Sequence, residues 1–293
     1  MGDLLAVVQP ILLYFFNTLA LTIKILVGSF MPIIFACIIL NFLAKEQIHR
    51  LFQIGGWNAV VATSWIGTPV HELSHYLAAV ITNHKVTDLK LFVPDKRTGQ
   101  LGYMNHRFQN DSFYQATIGN ALISIAPFFG GSLAIYLLTN FLFPDFSLFS
   151  EAVPKIQFFS LDKIAAPKNL SVFFQSHVDF FRYLAHTFFS HEMVRSWKLY
   201  VFLFIMFSIA NNLAPSRSDF NNFWAPLAFF LFGVFLLNLA IYPLLKHPEQ
   251  LMNALSGLLL LFMPILYLAI FVSALYLLIT YIVFGIFSLF RLV

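Results

Sequence analysis

Residues 59–82 read AVVATSWIGTPVHELSHYLAAVIT. The stretch is apolar over more than the roughly 20 residues that a membrane helix needs, yet His71, Glu72, Ser74 and His75 interrupt it near its middle. Ionisable groups inside hydrocarbon are costly and mark functional positions. On a helix, positions i and i+4 lie one above the other on the same face. His71 and His75 can therefore present two imidazole nitrogens to one metal ion. Glu72, one step round from His71, can take a proton from a water activated there without being a ligand itself. In shuffled chains with these histidine and glutamate counts, an H-E-x-x-H pattern arises in about one of 200. The structural alternative, a polar cluster serving only helix packing, is weakened further by the apolar setting. Pro69 stands two residues before His71 and predicts a kink or an opened turn, where water can satisfy freed backbone groups.

The rest of the chain sets the same terms. Of 293 residues, 59% are hydrophobic, 18% aromatic and only 10% charged, against about 25% charged in a soluble domain. Mean hydropathy is +0.80. These values predict an all-α, multi-pass integral membrane protein with about six transmembrane helices. Lys45 to Asn58, KEQIHRLFQIGGWN, mixes charge with apolar residues and is expected at the interface, after a first span at about 22–43. The HELSH span follows at 59–82, and further spans are expected at about 114–139, 199–213, 223–245 and within 251–290. MGDLLAVVQPILLYFF (1–16) lacks a basic n-region and a small-residue cleavage site, so retention rather than removal as a signal peptide is expected. The single cysteine, Cys37, excludes an intrachain disulfide and a cysteine-based metal site. Net charge is +4, with no basic stripe interleaved with aromatics. That suits a lipid bilayer with anionic headgroups and argues against nucleic acid.

Two polar regions punctuate the apolar runs. VTDLKLFV (86–93) and QLGYMNHRF (100–108) flank the turn signal PDKRTG (94–99), which predicts a small β-hairpin over 85–108. Its outer edge could hold an extended peptide by main-chain pairing. His84 and His106 bracket the hairpin and are expected to face solvent. Residues 140–197 form a long connection containing NLSVFFQSHVDFFRYLAHTFF (169–189), an amphipathic helix near the headgroups whose His177 and His186 belong to its polar side. The organisation is thus 1–58, N-terminal membrane and interfacial helices; 59–245, a membrane core; and 246–293, C-terminal transmembrane segments.

A catalytic zinc needs a third protein ligand. Position 81 is Ile81, so no third histidine follows six residues after the second. Glu151 and Glu192 lie in the long connection, Glu249 sits in KHPEQ, and most aspartates stand in loops. Asp219, in APSRSDFNNF between two apolar runs, is nominated by elimination; the alternative role is a helix N-cap. Asn120, in TIGNALISIAPFFGG (117–131), needs a partner inside an apolar span. A substrate carbonyl or developing oxyanion would serve, as would an interhelical hydrogen bond.

A zinc motif within a membrane helix, a strand-bearing polar segment after it and a distant aspartate resemble the site-2 protease family of intramembrane metalloproteases. The similarity covers roughly residues 59–245. The resemblance implies Zn²⁺ held by His71, His75 and Asp219, Glu72 as general base and then general acid, and peptide-bond hydrolysis in or near transmembrane segments. Phe220 follows Asp219 where the family usually has glycine, and Gly119-Asn120 only approximates its G-P-x-x-N motif. Two other readings are carried alongside it: a membrane zinc hydrolase acting on a lipid or acyl amide, and a non-catalytic metal-binding membrane regulator.

Overall fold

A chain this poor in polar side chains must satisfy its backbone hydrogen bonds within or between its own segments, and helices do so locally. The computed structural model describes residues 2–25, 31–108, 114–144, 167–213, 224–241 and 262–290. These are mostly helical: α1 (Gly2–Ile25), α2 (Met31–Ser64), α3 (Gly67–Ile81), α4 (Asn120–Leu142), α5 (Pro167–Phe188), α6 (His191–Arg195), α7 (Trp197–Asn211), α8 (Trp224–Ile241) and α9 (Met263–Leu289). A π-helical turn at Gln115–Gly119 leads into α4. Two antiparallel strands, β1 (Lys85–Lys90) and β2 (Tyr103–Arg107), follow α3 as the alternating pattern predicts. Gly99 closes their connection at φ 73°, a conformation that only glycine adopts without strain.

Among the described residues, three helices are long and apolar enough to cross a membrane: Pro32–Ser64, Gln115–Leu142 and Met263–Leu289. They mark the protein as membrane-associated. Val8–Lys24 and Trp197–Asn211 are shorter apolar helices. The outward faces agree, with Phe35, Ile38, Phe42, Leu133, Leu137, Phe141, Leu278, Ile282 and Ile286 all exposed. Patches of this extent mark contact with lipid or protein rather than water.

The boundaries differ from those expected at two places. The polar stretch extends the helix that begins at Met31 up to Gly55, and Gly56, non-helical at φ 63° and ψ −154°, separates it from a second helical piece that ends at Ser64. The helix extends that far because its polar groups find partners along α9. Arg50 lies over the Tyr281 ring at 4.5 Å and the Phe284 ring at 5.2 Å, and its Nη1 donates to Gln53 Oε1 at 3.0 Å. The HELSH motif in turn lies on a helix of 15 residues, about 22 Å long. That is shorter than the roughly 30 Å hydrocarbon core.

α2, α4, α7 and α9 surround the core, with Leu40, Ile135, Phe202, Met206, Phe207 and Leu266 fully buried. The amphipathic α5 lays Phe180, Leu184 and Phe188 into it, and Phe188 stacks on Phe202 at 5.7 Å. His177 belongs to this docked face. Its Nδ1–H donates to Phe173 O at 2.7 Å and its ring meets Tyr267 of α9 at 5.4 Å. Burial lowers its pKa from the ordinary histidine value, against an opposing contribution from the Phe173 bond. A histidine depressed in the folded state stabilises fully above its unfolded pKa, and that stability is lost as pH falls through the folded value. Acidification below the ordinary histidine range should therefore lower the unfolding temperature in detergent. His177→Gln should flatten that acid arm, and identical arms in the two proteins would refute the assignment.

Candidate metal centre

The position of α3 is set by small residues. Gly67 meets α7 so closely that a Cβ there would stand 1.8 Å from Ser208 O, and its N–H donates to Ser208 Oγ at 2.8 Å. On the other side, a Cβ at Gly130 of α4 would lie 2.0 Å from Ser74 Oγ. Small residues of this kind let membrane helices approach at backbone distance. The buried face of α3 carries Gly67, Thr68, Glu72, Ser74, His75 and Ala79, while Leu73, Leu77, Val80 and Ile81 point outward. Polar side chains turned inward and apolar ones outward are the reverse of a helix on a soluble core.

The close approach brings two backbone carbonyls to the imidazoles. His71 Nδ1 lies 2.7 Å from Asn212 O, and His75 Nδ1 lies 2.8 Å from Ile123 O. A carbonyl can only accept, so each Nδ1 carries the proton and each Nε2 of a neutral ring keeps its lone pair. The two Nε2 atoms face one another at 3.1 Å. With both Nδ1 atoms protonated, that contact needs a cation between the two nitrogens, either a shared proton or a metal ion. Two imidazoles on one tetrahedral zinc would place their nitrogens about 3.3 Å apart, and Nδ1–H donation to a carbonyl is the usual support of a metal-bound histidine. The pair therefore fits a zinc ion, and Glu72 is buried beside it.

Among the described residues, no group of three or more His, Cys, Asp and Glu side chains gathers here. Asp219, the candidate third ligand, lies outside the described residues, as do Glu151 and Glu249. Glu192 is exposed on α6, and His186 and His191 are exposed too. Asn120 opens α4 one turn before Ile123, and its Nδ2 donates to Ala116 O at 3.0 Å, within its own helical stretch.

His84 and His106 depart from the solvent-facing expectation. α3 ends with Asn83 at φ 58°, while His84 N–H donates to Ala79 O at 2.8 Å and Asn83 N–H to Val80 O at 3.1 Å. This helix-ending pattern suits asparagine. It reverses the chain into β1 and folds His84 under the π-helical turn, leaving it 5% exposed. His106 pairs with Val86 across the hairpin, so the two rings meet with centroids 5.0 Å apart. Burial, then the neighbouring His84 and His75, lower the His106 pKa. The far end of the hairpin returns to the start of α3, where a Cβ on Gly102 would lie 3.0 Å from Thr68 Cγ2. The hairpin thus runs alongside the motif face.

A scan of protein-family models and searches of curated proteins and of solved structures find no match to this chain.

Proposed function

We propose that the protein is a multi-pass intramembrane zinc metalloprotease, hydrolysing peptide bonds in or near the transmembrane segments of membrane proteins or peptides. The observation that carries this reading is the His71–His75 pair, with both Nδ1 atoms committed to backbone carbonyls and both Nε2 lone pairs converging at 3.1 Å. His71, His75 and Asp219 hold Zn²⁺ in this reading. Asp219 follows Leu213 by six residues, and Asn212 next to Leu213 is the residue whose carbonyl supports His71. That length of chain, about 20 Å when extended, is ample to return a carboxylate to the pair.

Bound Zn²⁺ supplies Lewis acidity and lowers the pKa of water into the neutral range. Glu72 accepts the proton that the attacking water loses as its oxygen adds to the scissile carbonyl carbon. The same carboxyl then gives that proton to the amide nitrogen as the C–N bond breaks. In this reading Asn120, on the helix that supports His75, offers its second amide N–H to the oxygen on which charge develops. The hairpin beside the motif holds the substrate as an added strand, since a helical substrate must unwind to present a peptide bond.

Zinc per chain on detergent-purified protein tests this reading. About one equivalent should be removed by His71→Ala and by Asp219→Ala, as a site with two histidines and one carboxylate requires. Zinc unaffected by either substitution would refute it.

A further inference from the structure

We propose that His84 Nε2 and His106 Nδ1 form a second site for a divalent d-block cation such as Zn²⁺, at the root of the hairpin and using neither histidine of the His71–His75 pair. Both nitrogens are buried with no hydrogen-bond partner among the described residues. A buried polar atom without a partner is an exception that calls for a ligand. Here there are two such atoms on rings that touch.

The chemistry of that ligand follows from Thr82. Its Oγ1 lies 2.8 Å from Ala78 O and 2.9 Å from His84 Nδ1. A hydroxyl has one proton, and a carbonyl can only accept it, so Thr82 Oγ1 accepts from His84 Nδ1–H. The lone pair of His84 is then on Nε2. This repeats the arrangement of His71 and His75, in which the far nitrogen is fixed as a donor and the near one is left for a cation. The ring centroids are similarly spaced, 5.0 Å apart at 76° for His84 and His106 against 4.7 Å at 82° for His71 and His75, while the two unpartnered nitrogens of the second pair make no hydrogen bond with each other. Two imidazoles that share a tetrahedral ion have centroids about 5 Å apart. Gly119 allows the π-helical turn to cover the ring, since a Cβ there would come within 2.3 Å of His84 Cε1.

Two imidazoles, with no carboxylate gathered beside them among the described residues, select zinc or copper over calcium or magnesium. With two protein ligands the remaining positions go to solvent. A bound ion would clip β2 to the C-terminal end of α3 and hold the strand beside the HELSH face. The inference does not rest on the proposed protease reading, because neither histidine belongs to the first pair.

Zinc content after equilibration in a zinc-buffered solution, read by elemental analysis with circular dichroism as a folding control, tests it. Wild type should carry about two equivalents, His84→Ala and His106→Gln one each, and the double variant His71→Ala/His75→Ala one. In that double variant, zinc should still raise the unfolding temperature, and adding His106→Gln should abolish the rise. A folded double variant that binds no zinc would overturn the second site. So would a wild-type content that neither His84→Ala nor His106→Gln changes. Zinc lost only with His84 or His106, and not with His71, would uphold this site and remove the protease reading instead.

Discussion

Glu72→Gln should leave the fold and the zinc content unchanged and slow hydrolysis by on the order of 10²–10⁴-fold, the usual contribution of a general base. Glutamine keeps the size and hydrogen-bonding reach of the glutamate on the buried face of α3, but it cannot take up a proton. Metal binding, set by His71 and His75 on their two carbonyls, is untouched. The comparison should be run in proteoliposomes, with a library of transmembrane peptides and with acyl amides as substrates. Loss of peptide cleavage at constant zinc supports the protease. Loss of acyl amide turnover alone transfers the same chemistry to a lipid. A variant as fast as wild type on every substrate would end the general-base assignment.

Gly67→Ala should be the most damaging single methyl in the described core. The added carbon would lie 1.8 Å from Ser208 O, 2.5 Å from Ser208 C and 2.6 Å from Asn212 Nδ2. The first two are backbone atoms inside α7 and cannot swing away, so α3 and α7 must separate. Overpacking of a tight interior costs about 1–3 kcal/mol and occasionally more, and here the Gly67 N–H to Ser208 Oγ bond is lost with it. The same shift moves Asn212 O away from His71 Nδ1, so zinc occupancy should fall together with stability. Gly233→Ala is the control: nothing lies within 4 Å of its Cβ, and in a helix alanine is favoured by up to about 1 kcal/mol. Thermal unfolding and zinc content of the two variants check the contrast. Equal stability would mean that α3 and α7 are not in backbone contact.

The elements that local sequence dictates were readable. Alternation and a turn signal placed the hairpin at 85–108, and its strands occupy 85–90 and 103–107. Amphipathic spacing placed a helix in 169–189, where α5 lies. The division of the apolar runs was less readable, because a polar stretch such as 45–55 ends a helix or extends it according to whether a neighbour offers partners. α9 offers Tyr281 and Phe284 to Arg50. The His84–His106 pair is implied by the hairpin itself, since residues at the two open ends of an antiparallel hairpin must meet. The burial of His84 had no local signal, because it comes from Gly119 on a later element.

The sequence by itself determined that His71 and His75 share a helical face with Glu72 beside them, because helical periodicity is a property of adjacent residues. Only the tertiary structure decided that both imidazoles turn their Nε2 lone pairs toward each other. That outcome depends on the carbonyls of Ile123 and Asn212, 48 and 141 positions away, brought within hydrogen-bond reach where Gly67 and Gly130 carry no side chain to keep the helices apart.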